Sequence, residues 1–204
     1  MKERVIDEAE KMFRKHGVRT ITMDDIARRL GISKKTIYQH FTDKDDLVYQ
    51  VALHSMTREA NDYDCILQTA SNPIQEMLKA SEMMKVHLVD VNPNLVQDIQ
   101  KYYPKAWDVV HQFEQQHVVK AIADNIRTGI EKGLYRDTLD PETMARLRLQ
   151  TVHAAFNDVV FPRTRLSMEA IQQQLMEHFI RGLLTEKGFL VYHQCINHKE
   201  YETK

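Results

Sequence analysis

Two cysteines, six glycines and five prolines are all that the 204 residues contain of these types. Cys65 and Cys195 lie far apart and make neither a disulfide framework nor a Cys-x-x-Cys pair. With turn formers this scarce, and few stretches alternating apolar and polar residues, an all-β or α/β design is excluded. No apolar run has the length of a membrane span, and the N-terminus is charged from Lys2 onward. Neither a membrane helix nor a secretory leader is expected, and a reducing cytoplasm is the expected compartment. Also missing are a glycine-rich phosphate loop, a nucleophile elbow and any His–carboxylate spacing that demands catalysis. The chain is therefore not expected to be an enzyme or to need a cofactor. His193, Cys195 and His198 supply three metal-type ligands without a fourth, so no metal is expected either.

What is present suits a helical protein with a sizeable core. Hydrophobic residues make up 43% and charged residues 28%, a balance that rules out disorder as the overall state. The net charge of -1 does not announce a polyanion partner, but its distribution is uneven. Between Ile26 and Lys44 stand Arg28, Arg29, Lys34, Lys35 and Lys44 against Asp43 alone. A local excess of this kind is what steers nucleic acid.

Helical spacing and helix punctuation recur along the whole chain. Val5, Ile6, Ala9, Met12 and Phe13 define a first helix, ended by Gly17 as a left-handed terminator. Thr22-Met23-Asp24-Asp25 is a capping-box start for a second helix, buried through Ile26, Ala27 and Leu30 and ended by Gly31. Ser33 caps a very short third helix, anchored by Ile37 and Phe41 at i, i+4. Asp43 opens a long helix from Lys44 to about Thr69, with no linker before it, so the parts it joins should move together. Asn72-Pro73 and Asn92-Pro93 each place a cap before a proline at the first helical position. A short segment from Asn94 ends before Pro104. Trp107 to Ile130 reads as one long amphipathic helix ending at Gly133. Asp140-Pro141 opens a helix with Val159 on its apolar side, closed by Pro162. Ser167 caps a last strong helix that ends at Gly188, and the pattern beyond Phe189 is mixed.

The stretch Gly31-Ile32-Ser33-Lys34-Lys35-Thr36-Ile37-Tyr38-Gln39-His40-Phe41 is too polar and too short to be core. Two short helices around a glycine turn, braced by a longer first helix, are the parts of a helix-turn-helix reader of the DNA major groove. Residues 4–50 resemble the tetracycline-repressor (TetR) family of bacterial regulators. The likeness is carried by Phe13, Gly17, Thr20, Thr22, Ile26-Ala27, Gly31-Ile32-Ser33, Thr36 through Phe41, Lys44 and Leu47. It implies an all-α fold: a helix-turn-helix DNA-binding domain over residues 1–46, joined through the long helix to an effector-binding and dimerisation domain over residues 47–204. The implied function is a ligand-responsive repressor that binds a palindromic double-stranded DNA operator as a homodimer.

By residue, the resemblance implies DNA contacts from Thr22, Ser33, Lys34, Lys35, Thr36, Tyr38, Gln39, His40 and Lys44. Thr22 and Lys44, at helix starts, suit phosphate oxygens. Lys34, Lys35 and Gln39 suit base edges, and a long cation at Lys35 replaces the small residue many relatives carry. For His40, contact and packing against the first helix are equally open. The resemblance also implies a small-molecule pocket in the middle helices. Met84, His87, Tyr103, Trp107, His111 and Phe113 are its candidates, although methionines and aromatics serve an ordinary core equally well. Leu149, Val152, Phe156, Ile171, Leu175, Phe179 and Leu183 are candidates for a helical dimer interface, with intramolecular core as the alternative. The rival functions are an interaction protein, or an enzyme that retains a helix-turn-helix fold.

Overall fold

The computed structural model describes residues 1–88, 91–162 and 166–202, with side chains through residue 197. Among the described residues the regular structure is all helical, apart from a single bridge between Tyr135 and Leu184. They divide into two compact units, Met1–Asn61 with Asp90–Phe113, and Asp62–Val89 with Glu114–Lys204.

The first unit holds α1 (Lys2–His16), α2 (Met23–Leu30), α3 (Lys34–Tyr38), the first part of α4 (Lys44–Thr69), α6 (Leu95–Tyr102) and α7 (Pro104–Phe113). Val5, Ala9 and Phe13 of α1, Ile26 of α2, Ile37 of α3, Phe41, and Leu47 and Val48 of α4 form its core. Each of these side chains larger than alanine contributes roughly 1.5–3 kcal/mol by leaving water. Charge is buried here as well. Glu10 of α1 is 4% exposed and accepts from Arg58 of α4 at 2.9 Å through Oε2, and from Ser55 at 3.2 Å. Tyr103 and Ala106 from the α6–α7 junction complete the core. The backbone N–H of Asn92 donates to the Arg14 carbonyl at the end of α1, 2.6 Å away.

The second unit holds the end of α4, α5 (Pro73–Leu88), a π-helical turn (Glu114–Val118), α8 (Val119–Glu131), α9 (Pro141–Ala155), α10 (Met168–Leu183) and α11 (Glu186–Glu202). Ile74, Ile126, Tyr135, Ile180, Leu183 and Tyr192 are the centre of its main core. Val119, Ala123, Ala145 and Leu149 form a smaller cluster between α8 and α9. The Tyr135 hydroxyl donates to Asn125, whose own amide donates to the Pro73 carbonyl at 2.9 Å. This buried chain satisfies groups that would otherwise be costly to cover.

Several boundaries differ from the sequence expectation. Gly17 has φ 84 and ψ 149, so it leaves the helix into an extended backbone open to glycine rather than through a left-handed cap. Asn92 does not cap a helix; its side chain accepts from the Asn94 N–H at 2.9 Å, and α6 starts at Leu95. The long helix from Trp107 is interrupted by the π turn, where Glu114 pairs with His153 at 2.7 Å and Gln115 accepts from Arg146 at 2.9 Å. Both partners stand on α9, and the wider turn presents two consecutive polar side chains to that helix. Helix α9 ends at Ala155, well before Pro162, and Val159 is 90% exposed rather than buried. Gly188 does not end α10. It lies inside α11, where a Cβ would run into the Leu134 carbonyl oxygen, and Thr185 caps that helix by accepting the Gly188 N–H at 3.0 Å.

Candidate nucleic-acid interface

Three helix starts hold the polar surface of the first unit. At α2, Thr22 Oγ1 accepts the Asp25 N–H at 3.2 Å, while the Asp25 carboxylate accepts the Thr22 N–H at 3.0 Å and its hydroxyl at 2.6 Å. The Thr22 hydroxyl, then its backbone N–H, hold the Asp25 carboxyl below the usual carboxylate range. Gly31, at φ 67 and ψ 32, reverses the chain after α2 in the left-handed conformation. Ser33 then accepts the Thr36 N–H at 3.1 Å to start α3. Asp43 accepts the Asp46 N–H at 2.8 Å at the start of α4, and Asp46 accepts the Thr42 N–H at 2.9 Å.

Helix α3 has five residues, too few to be stable alone. Ile37, fully buried, and Phe41, 1% exposed, pin it to the core. Ser33, Lys34, Lys35, Tyr38, Gln39 and His40 are all left exposed around it, and Thr36 is half-buried with its hydroxyl 2.9 Å from that of Ser33. The sequence-derived candidates of this stretch thus all keep contact with solvent. They are not equivalent. Lys34 Nζ donates to Asp24 of α2 at 3.0 Å, and that hydrogen bond raises its pKa. Its ammonium also lies 5.9 Å from the centre of the Tyr38 ring. His40 sits edge-on to Phe41, with ring centres 6.4 Å apart, while its side chain stays exposed.

Lys44 differs most from a free surface cation. It is half-buried, donates to the Arg19 carbonyl at 3.4 Å, and lies 5.9 Å from the centre of the Tyr103 ring. Burial pushes its ammonium below the usual lysine value, against the pull of Asp45. The guanidinium of Arg19 sits 4.4 Å from the centre of the Tyr102 ring. Consecutive tyrosines at the α6–α7 junction therefore hold two cations beside the start of α4 by ring–cation attraction. Sequence reasoning missed this arrangement. Periodicity says which face of a helix is apolar, not which distant segment returns to cover it.

The remaining candidates are distributed as follows. Tyr103, Trp107, His111 and Phe113 belong to the first unit, and Met84 and His87 to the second. Tyr103 is 9% exposed in the first unit's core, and Trp107 stacks on His111 at 6.1 Å. His87 faces Asp62 at 3.9 Å. Among the interface candidates, Leu149, Ile171, Phe179 and Leu183 are buried within a single copy, whereas Val152, Phe156 and Leu175 keep part of their surface. Of the three metal-type ligands, His193 is exposed and Cys195 half-buried, and the side chain of His198 lies outside the described residues.

Residues 5–51, the stretch that builds this surface, match the family model described as bacterial regulatory proteins, tetR family. The N-terminal quarter of the chain is thus similar to the tetR family. An HTH-type transcriptional regulator of Staphylococcus aureus is 46% identical to it over 50 residues, which is 24% of this chain and 27% of that relative. The match thus spans about a quarter of the length of the curated relative. Solved structures extend the likeness of fold to the remainder. The regulatory protein TetR from Rhodobacter sphaeroides superimposes with a TM-score of 0.76 at 16% identity, over 89% of this chain and 98% of that one. A protein from Saccharomonospora viridis, described as a transcriptional regulator and solved with choline, gives 0.74 at 19% identity, over 91% and 98%. The chain thus has a helix-turn-helix N-terminus, where the curated match lies, followed by a helical C-terminal part.

Proposed function

We propose that the chain is a ligand-responsive repressor that binds a palindromic operator as a homodimer. The observation that carries this is the α2–α3 surface: a five-residue helix sacrificing its own stability to present Lys34, Lys35, Tyr38 and Gln39 outward from two buried anchors. An isolated solvated helix has no reason to be capped, reversed through a left-handed glycine and pinned at Ile37 and Phe41. In functional terms residues 1–46 read DNA, and residues 47–204 bind effector and the second subunit. Helices α9 and α10 supply the dimer contact through the side chains that retain surface, Val152, Phe156 and Leu175 among them. Two-fold symmetry then sets two α3 helices about one turn of DNA, roughly 34 Å, or a multiple of it, apart. The protein acts on DNA in the cytoplasm and performs no chemistry. A small molecule favours a conformation with the wrong spacing, and does so only in so far as it binds the two conformations unequally.

The test is binding to genomic DNA fragments, followed by base-by-base substitution of the selected site. Lys35→Ala and Gln39→Ala each lose about 1–3 kcal/mol of discrimination at one position of each half-site. Lys44→Ala weakens every sequence alike and lowers the slope of affinity against salt by about one contact. Unaltered specificity and affinity in both Lys35→Ala and Gln39→Ala would remove α3 as the reading element.

A further inference from the structure

Arg148 lies in the middle of α9 and is 3% exposed. Two of its guanidinium nitrogens have neighbours of hydrogen-bonding type: Thr151 Oγ1, 3.3 Å from Nη1, and the Met84 sulfur, 3.8 Å from Nη2. The threonine hydroxyl spends its own proton on the Arg148 carbonyl at 2.7 Å. Among the described residues no carboxylate pairs with the guanidinium. Burial alone, with no acid to oppose it, pushes Arg148 down to about 10. Every other arginine described in an ion pair here keeps at least a third of its side chain in water. A covered cation faced by one hydroxyl and one thioether is an expensive arrangement, and folds retain such groups where something negative arrives.

A second polar group nearby is also unsatisfied. Gln172 of α10 is 4% exposed, and its amide N–H donates to the Val152 carbonyl at 2.8 Å. Its Oε1 is buried with no donor. Val152 follows Arg148 by one helical turn along α9. Arg148 thus lacks an anion, and Gln172, which meets α9 at Val152, lacks a donor for its Oε1. The Met84 contact supplies an adaptable apolar wall beside the guanidinium.

We propose that the effector is a small carboxylate whose anionic group is held by Arg148. This rests on the ligand-responsive reading and narrows it to one chemical class. A guanidinium matches a carboxylate with two parallel hydrogen bonds, and in a covered site each is worth more than in water.

The experiment is thermal unfolding of the full-length chain and of Arg148→Met, a substitution that keeps the length and removes the charge. The probes are sodium formate, butanoate, lactate, octanoate and benzoate, each beside its alcohol or amide, an alkyl phosphate, and choline, all at equal ionic strength. A carboxylate at about a hundred times its Kd raises the native midpoint by about 5–10 °C. Its neutral partner does not, and Arg148→Met loses the shift while melting no lower than the native chain without ligand. A residue that merely props the fold would behave in the opposite way, melting several degrees lower and leaving any shift intact, which overturns the proposal. An equal response to alcohols or to choline keeps a pocket but overturns the carboxylate. A response to alkyl phosphate alone assigns Arg148 a different anion and overturns it too. No shift with any carboxylate also overturns it, whatever the variant's stability. Operator binding is measured separately, so loss of the repressor reading and loss of this one are told apart.

Discussion

Lys34 is tied before it ever meets a partner. Its ammonium is 3.0 Å from Asp24, on the helix before it, and a lysine in an ion pair must leave that pair to approach a base or a phosphate. The pair is exposed on both sides, so its strength depends on salt. Asp24→Asn should therefore raise affinity for DNA about two- to fivefold at low salt and lose that advantage at high salt. A salt titration of both proteins on one site checks it, and an unchanged affinity would show that Lys34 makes no contact. Asp25, its neighbour, has a different task. Its pKa is lowered in the folded chain, so the capping box contributes stability above the ordinary carboxylate range, and that contribution fades as pH falls from about 4 through the lowered value. Asp25→Asn should thus unfold at lower urea than the native chain at pH 7, with the gap closing at acid pH. Thr22→Ala should cost about 1 kcal/mol at neutral pH. At this scale the sequence was most legible: Thr22, Ser33, Asp43, Asn72, Asp140 and Ser167 all cap the helices they precede, because a cap is a local hydrogen bond written within four residues.

Helix boundaries were legible where a cap set them and obscure where packing did. Gly188 looks like a terminator, yet it is a residue of close approach, since a Cβ there collides with the Leu134 carbonyl. Gly129 plays the same part in α8, where a Cβ would enter the Tyr135 ring. Gly182 in α10 has open space around its Cβ position. Gly129→Ala and Gly188→Ala should each destabilise by about 1–3 kcal/mol, through overpacking against a ring and a backbone respectively. Gly182→Ala should stabilise by about 0.5–1 kcal/mol, as expected for alanine in an unobstructed helix. Denaturant unfolding of the three variants separates them by sign. Nothing in the residue order distinguishes these glycines, because their difference lies in elements that pack from far along the chain. The π turn was hidden for the same reason: Glu114 and Gln115 satisfy His153 and Arg146, roughly forty and thirty residues later.

For the molecule as a whole, the fold class and the reader followed from periodicity, caps and a dense family pattern in the first fifty residues. The division into compact units did not. Asp90–Phe113 joins the N-terminal helices, and only the packing of Tyr103, Ala106 and their neighbours reveals it. Thermodynamic linkage supplies the test proper to this scale. A carboxylate that lowers operator affinity by a given factor must bind more weakly to the operator complex by the same factor. Titrating the effector with and without operator checks this, and unequal factors would mean that the two ligands do not share one equilibrium.

Trp107 is the one tryptophan in the chain, and it stands in α7 with His111 stacked on it. Four residues before it, Tyr103 lies against the ammonium of Lys44. Indole emission can be excited apart from the eight tyrosines, and its intensity and colour follow the polarity and the charge of what touches the ring. The chain therefore carries its own optical reporter, placed in the segment that braces the reader. Any event that loosens α7 from the start of α4 should be visible as a change in light, with no label attached.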